Sequence, residues 1–184
     1  SERKATECVL SGLRFGVTVE RFKAVPAADA VRRMENYGLV WSWAKGNTER
    51  AVCKRTGLHQ YPYGNLAAKV GCSLSHWLLW RRCVDLAQPI LILEHDAEFI
   101  GPLPELAVTC QINDPDGATH KGKWWSEQIA KKGPGVHPKT RVMDDPLRPD
   151  GLAGNSAYVI TPEDADKAVG LFYDVGVWPN DATL

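Results

Sequence analysis

The sequence predicts an α/β fold whose central sheet is mainly parallel. Ile90–Leu93 is a run of four large aliphatic residues between a proline and an acidic segment. A continuous apolar run of this length indicates a strand buried on both faces, which is typical of a parallel sheet. A helix with one apolar face, Cys72–Ala87, comes before this strand. A second strand, Ala157–Ile160, leads into Thr161-Pro162, which has the threonine cap and the first-turn proline of a helix start.

The other predicted elements carry weaker signals. In chain order we expect a first helix that ends at Gly12 or Gly16, a short strand Val17–Phe22, a helix Ala27–Tyr37, an irregular region Leu39–Leu66 with one short helix around Thr48–Thr56, and a long loop Gln111–Gly151. A loop of that length inside a compact domain usually has a function or is mobile. No repeat or linker divides the chain, so we predict one domain over residues 1–184.

The composition is that of an ordinary globular protein. Lys+Arg and Asp+Glu both total 22, so the net charge gives no attraction to nucleic acid or to an anionic membrane. Five cysteines without a Cys-x-x-Cys pair indicate free thiols in a reducing compartment. No apolar run is long enough to span a bilayer. We therefore expect a cytoplasmic protein, and peripheral membrane association stays open.

The acidic segment after the strand is the strongest functional signal. Glu94, His95, Asp96 and Glu98 lie within five positions. In open α/β sheets the ligand lies beyond the carboxyl ends of the strands. Carboxylate oxygens suit Mg²⁺ and Mn²⁺, and if the extended conformation persists, Glu94 and Asp96 point to the same side. The alternative, that these acids only cap the next element, is equally consistent with this pattern alone.

Three motifs in order carry a resemblance to a known family. They are Gly71-Cys-Ser-Leu-Ser-His76 before the strand that ends in Glu94-His95-Asp96, then Gly154-Asn-Ser-Ala-Tyr158, and then Trp178-Pro-Asn-Asp181. Over about Phe22 to Asp181 the chain resembles glycosyltransferase family 25, the enzymes of lipooligosaccharide and collagen galactosylation. The resemblance implies a GT-A fold, a Rossmann-like αβα sandwich that binds a nucleotide sugar, usually with Mn²⁺ or Mg²⁺.

The chain departs from the family pattern in two places. His95 stands where the family has the middle acid of Glu-Asp-Asp. This change weakens the negative charge of the site or shifts its metal preference, and an imidazole ligand would favour Mn²⁺. The family's opening strand, a Val-Ile-Asn-Leu segment that contacts the nucleotide, has no counterpart before Ser1. Two interpretations stay open: the given sequence starts after that strand, or the protein is reduced at that edge of the sheet.

The resemblance also implies roles for individual residues. Asp96 is the expected metal ligand, with Glu94 as a second ligand or near the ribose. The residues expected to bind the donor are Ser75, His76, His95 and Asn155. Asp181 is the expected base of an inverting transfer, and Asp150 and Asp145 are the alternatives for that role. A histidine on an apolar helix face is otherwise a core residue, so for His76 both interpretations stay open.

The predicted function is a metal-dependent transfer of a hexose, galactose or glucose, from a nucleotide sugar such as a UDP-sugar. The acceptor is a hydroxyl of a glycan, a lipooligosaccharide or a protein, and nucleic acid gets no support from the neutral charge. One alternative is a non-catalytic relative that kept the fold for binding or structure. Another is a phosphoesterase, which the chain disfavours because it lacks further His and Asp ligands for a two-metal site.

Overall fold

The computed structural model describes residues 2–43, 51–60, 64–105, 107–114, 116, 122–138, 146–147, 149 and 155–184. In this part of the chain the helices are α1 (Glu2–Leu13), α2 (Ala27–Asn36), α3 (Leu66–Leu86), α4 (Gly122–Lys132), α5 (Pro162–Asp174) and α6 (Asn180–Thr183). The strands are β1 (Ala51–Val52), β2 (His59–Gln60), β3 (Ile90–Leu93), β4 (Cys110–Gln111) and β5 (Ala157–Ile160). The α/β class is thus confirmed.

The sheet that β3 joins is antiparallel, so the prediction of a mainly parallel central sheet is wrong for the described residues. The strand order is β3-β5-β4, and β5 runs antiparallel to both neighbours, with Ile92 opposite Tyr158. The parallel pairing found among the described residues is an isolated bridge between Trp41 and Val177. An apolar run in the sequence predicts a strand, but it carries no information about the direction of the neighbouring strand.

Burial differs between the two predicted strands. All four residues of β5 are buried, because β5 lies between β3 and β4. In β3 only Ile92 is buried, so the prediction of a strand buried on both faces is wrong for β3. Among the described residues no strand pairs with the second edge of β3, whose backbone lies along a cavity.

Helix α3 is the centre of the core and packs against α2 and α5. It begins at Leu66, earlier than predicted, because the side chain of Asn65 accepts a hydrogen bond from the backbone N–H of Ala68. Gly71 allows close contact with the segment before α2: a Cβ at this position would lie 2.8 Å from the carbonyl oxygen of Val25. This contact sets the position of the helix that carries the Gly71–His76 motif.

Helix α5 begins as the sequence predicts. The Thr161 side chain accepts a hydrogen bond from the backbone N–H of Asp164, and Pro162 occupies the first turn. The Asp164 carboxylate accepts hydrogen bonds from the hydroxyls of Thr109, at 2.6 Å, and Thr161, at 3.1 Å. These bonds tie the start of α5 to the segment that enters β4.

Several weaker predictions need correction. Residues Val17–Phe22 form no strand, because their backbone has no sheet partner among the described residues. Of the predicted helix Thr48–Thr56, the described part contains β1, which pairs with β2, and residues 48–50 lie outside the described residues. The predicted loop Gln111–Gly151 contains α4.

All five cysteines are free thiols, as predicted. In the described part of the chain no helix has the length and apolar character needed to cross a membrane.

Candidate functional site

His76 is held on the buried face of α3 by a tyrosine from β5. Its Nδ1 lies 2.7 Å from the hydroxyl of Tyr158, which also accepts a hydrogen bond of 2.8 Å from Nε1 of Trp80. The His76 and Tyr158 rings stack with centroids 5.7 Å apart. Burial raises the pKa of the Tyr158 hydroxyl far above its usual range, so this hydroxyl is neutral. The imidazole therefore has a fixed orientation, with Nε2 as its second polar atom.

Glu94 meets His76 from the end of β3. The backbone N–H of Glu94 donates to the carbonyl of Ser156 at 2.8 Å, which continues the β3–β5 register by one pair. Because opposite residues of an antiparallel pair point to one face, Glu94 lies on the same face of the sheet as Tyr158. Its Oε1 is 3.8 Å from Nε2 of His76, and its side chain is 36% exposed. A carboxylate thus faces the free nitrogen of the imidazole.

Cys72 completes this group one helical turn before His76. The ligand atoms of Cys72, His76 and Glu94 all lie within 4.8 Å of one another, and no other set of three His, Cys, Asp or Glu residues in the described part of the chain does so. The Cys72 sulfur donates to Oδ1 of Asn180 at 3.4 Å. Burial of the sulfur, with the nearby Glu94 carboxylate, raises the pKa of the Cys72 thiol to about 11.

Ser75 fixes the chain that lies across α3. Its hydroxyl donates to the carbonyl of Gly71 at 2.7 Å and accepts from the backbone N–H of Val25 at 2.9 Å. Val25 and Ser75 are both buried, so bulk water cannot replace the Ser75 hydroxyl as the acceptor for the Val25 N–H. Ser75 thus acts as a positioning residue for the segment that precedes α2.

A cavity of about 710 Å³ joins these residues. Four residues predicted from the sequence to bind the donor or the metal line it, namely Ser75, His76, Glu94 and His95. Its walls come from α1, α3, β3 and the segment Val17–Phe22. The surface of these walls is largely apolar. Its size lies in the range of small-molecule pockets.

Asp96 pairs with a lysine of α1. The backbone N–H of Ala97 donates to the carbonyl of Glu94 at 3.1 Å, which closes a turn and ends the extended conformation. The prediction that Glu94 and Asp96 point to one side depended on that conformation, and the turn removes its basis. Asp96 is exposed, forms an ion pair of 3.7 Å with Lys4 of α1, and does not line the cavity.

The remaining predicted residues lie around this centre. Asn155 is 3% exposed, and neither polar atom of its amide has a hydrogen-bond partner among the described residues. Asp181 is half-buried at the start of α6, and its charge contributes to the raised pKa of the Cys72 thiol. Neither residue lines the cavity within the part of the chain that the structure describes. Asp150 and Asp145 lie outside the described residues.

Sequence reasoning assigned no role to Cys72, Tyr158 or Trp80. Cys72 precedes His76 by four residues on a helix, a spacing that places both side chains on one face. That signal was available from the sequence. The bond from Trp80 to Tyr158 joins residues 78 positions apart, and no local pattern predicts it.

A cavity beside β3, with carboxylates and an imidazole of fixed orientation at its wall, is typical of an α/β protein that binds a small ligand. The model of the family described as "Glycosyltransferase family 25 (LPS biosynthesis protein)" matches residues 59–184. This match spans more than half of the chain, so the protein belongs to glycosyltransferase family 25. Membership makes it a transferase that acts between a sugar donor and an acceptor. No curated protein and no solved structure matches the chain.

Proposed function

We propose that this glycosyltransferase moves a hexose, galactose or glucose, from a UDP-sugar to a hydroxyl of a glycan, a lipooligosaccharide or a protein. The reaction inverts the anomeric centre and uses Mn²⁺ or Mg²⁺. The observation that carries this proposal is the cavity at the end of β3, where Ser75, His76, Glu94 and His95 lie together. Ser75 and His76 belong to the Gly71–His76 motif, and Glu94 and His95 belong to the Glu94-His95-Asp96 segment that follows it. Both carry the family resemblance.

The charges around the cavity support the use of a metal ion. A departing nucleoside diphosphate carries negative charge that has to be compensated. The two arginines that line the cavity share their charge with carboxylates in the free protein, since Arg21 donates to Glu2 and Arg82 donates twice to Glu20, so the lining carries little net positive charge. A divalent cation supplies the missing positive charge when bound.

We assign its protein ligands to Glu94, which lines the cavity, and to Asp96, two residues further along the same segment. Mg²⁺ and Mn²⁺ typically bind to one or two carboxylates together with phosphate oxygens and water. Both carboxylates are accessible, and the ion pair of Asp96 with Lys4 is long, at 3.7 Å. An exposed pair of this kind contributes at most about 1 kcal/mol and is easily exchanged for a cation.

Asp181 and Asn155 complete the proposal. An inverting transfer needs a carboxylate that takes the proton from the acceptor hydroxyl, and Asp181 is the candidate at the start of α6. Asp150 is the rival for this role. Asn155 is the candidate for hydrogen bonds to hydroxyls of the donor sugar, because its buried amide has no hydrogen-bond partner among the described residues.

The test is transfer and hydrolysis of UDP-galactose and UDP-glucose with Mn²⁺, before and after chelation. Asp96→Asn should lower the rate on the order of 100-fold, because it removes charge from a metal ligand. Glu98→Gln is the matched control, since Glu98 lies in the same segment, is exposed, and pairs with Arg14. Equal rates for the native protein and Asp96→Asn would remove the metal role of Asp96.

Thermal unfolding with saturating UDP and Mn²⁺ provides a second readout that needs no acceptor. A ligand that binds only the folded protein raises its melting temperature. A rise in melting temperature without any transfer or hydrolysis would favour the alternative of a non-catalytic binding relative. No rise for either nucleotide sugar would contradict the proposed donor.

A further inference from the structure

We propose that Cys72, His76 and Glu94 form a binding site for a thiophilic divalent cation, Zn²⁺, at the wall of the cavity. The proposal goes beyond the proposed function and does not depend on it, although both name Glu94. It rests on the set of three ligand atoms that α3 and the end of β3 bring within 4.8 Å of one another.

The spacing of the three groups is close to that of a tetrahedral zinc site. Zinc–ligand distances of about 2.0–2.3 Å place neighbouring ligand atoms about 3.3–3.6 Å apart. Nε2 of His76 and Oε1 of Glu94 are already 3.8 Å apart. The side chains of Cys72 and Glu94 have to move by about 1.2 Å or less, while His76 stays in place.

The surroundings of His76 favour a metal ligand. A metal-bound histidine usually donates its other ring N–H to an oxygen, which fixes the ring and its tautomer. Here Nδ1 lies 2.7 Å from the Tyr158 hydroxyl, and Trp80 holds that hydroxyl from the other side at 2.8 Å. With Nδ1–H donating to Tyr158, Nε2 presents its lone pair toward Glu94. The cation then binds to the Nε2 lone pair and to the carboxylate, and the Cys72 thiol releases its proton to solvent when its sulfur binds the cation.

The chemistry of the ligand set selects zinc over the hard cations. Thiolate and imidazole are soft and borderline ligands that bind Zn²⁺, whereas Mg²⁺ and Mn²⁺ prefer oxygen. The three side chains all line the cavity, so solvent can reach the site and supply a fourth ligand. Three protein ligands with one open position are the arrangement of exchangeable zinc sites.

The structure also offers a bland interpretation, in which His76 is a core residue satisfied by Tyr158 and Cys72 is its helix neighbour. That interpretation does not account for Glu94, whose carboxylate turns toward Nε2 on the same face of the sheet. A carboxylate, an imidazole nitrogen and a thiol that converge from two separate elements form the set that binds a cation.

The test is titration of the metal-free full chain with Co²⁺ and then Zn²⁺. Native protein should bind one Co²⁺ with the near-ultraviolet absorption of a thiolate–cobalt bond, and Zn²⁺ should displace it. Cys72→Ala should lose this absorption and weaken Zn²⁺ binding at least about 100-fold, measured by competition with a chelator. Cys110→Ala is the matched control, because Cys110 is a half-buried free thiol outside the group.

Glu94→Gln gives a second variant, which keeps the size of the side chain and should weaken Zn²⁺ binding while the thiolate–cobalt absorption stays. Circular dichroism of each variant checks the fold. Zn²⁺ affinity of Cys72→Ala equal to that of the native protein, or cobalt binding without the thiolate absorption, would overturn the proposal. Stabilisation by UDP and Mn²⁺ in Cys72→Ala reports on the proposed function alone, so the two proposals fail separately.

Discussion

The two sides of the acidic turn after β3 are built in opposite ways. On the side of α3, His76, Tyr158 and Trp80 form a chain of buried hydrogen bonds, and none of the three is more than 5% exposed. On the side of α1, Asp96 has one ion pair of 3.7 Å with Lys4, and both side chains are at least 40% exposed. Glu94 lies at the boundary and faces the buried side.

This difference separates fixed groups from adaptable ones. Buried polar groups with complete hydrogen bonding keep one geometry, because any rearrangement leaves a group without a partner. An exposed carboxylate in a turn changes its partner at little cost. We therefore expect the α3 side to position a ligand and the α1 side to rearrange when a ligand or cation binds.

The largest effect on stability should come from Tyr158→Phe. The change removes the hydroxyl that both Trp80 and His76 use, and it leaves two buried groups without their partner. Each unsatisfied group costs about 1–3 kcal/mol, so the two together predict a loss of about 2–6 kcal/mol in the free energy of unfolding, measured by urea denaturation. Tyr173→Phe is the control, because Tyr173 is 52% exposed and should change by less than about 0.5 kcal/mol. Equal effects would contradict the role of the buried network.

A smaller loss should follow from Ser75→Ala on the same side. The change leaves the buried N–H of Val25 without its acceptor, at a cost of about 1–3 kcal/mol. Ser73→Ala is a matched control on the same helix, since the Ser73 hydroxyl only donates to the carbonyl of Lys69. We expect the free energy of unfolding to fall at least twice as much for Ser75→Ala. A larger loss in Ser73→Ala would show that Ser75 does not hold the Val25 segment.

Asp164 shows how a structurally engaged carboxylate differs from Asp96. The hydrogen bond from Thr109, with support from Thr161 and Lys167, lowers the pKa of the Asp164 carboxyl in the folded protein. The unfolded chain therefore binds a proton first as pH falls, and stability present at neutral pH is lost as pH falls through the lowered pKa. Asp164→Asn should cost about 0.5–1.5 kcal/mol at pH 7 and much less at acidic pH.

The control for this pH series is Glu163→Gln. Glu163 is exposed and pairs only with Lys167, so its stability curve should follow that of the native protein. If Asp164→Asn kept the native dependence of unfolding free energy on acidic pH, the hydrogen bonds at the start of α5 would not be the cause.

The smallest effect on stability belongs to Asp96→Asn. Breaking an exposed ion pair should change the free energy of unfolding by less than about 0.5 kcal/mol, even where the same change lowers Mn²⁺-dependent transfer. Lys4→Ala should behave alike in denaturation. A loss above about 1 kcal/mol in either variant would mean that the α1 side is as rigid as the α3 side.

Local patterns were sufficient for the elements that carry the motifs. The apolar face of Cys72–Ala87 predicted most of α3, and the threonine and proline at 161–162 predicted the start of α5, because helix periodicity and capping depend on near neighbours. The Glu94–Asp96 segment stood out for the same reason. The helix Gly122–Lys132 was missed, since its lysines, tryptophans and flanking glycines show no clear period.

The amino-acid sequence by itself determined which short segments carry the family motifs, namely the turn after β3 and the Gly71–His76 part of α3. Only the tertiary structure decided the direction of the strands, the ion pair of Asp96 with Lys4, and the meeting of Cys72 with Glu94. The physical reason is distance along the chain. Strand pairing and the Tyr158 hydrogen bonds join residues many tens of positions apart, and packing of the whole core selects them.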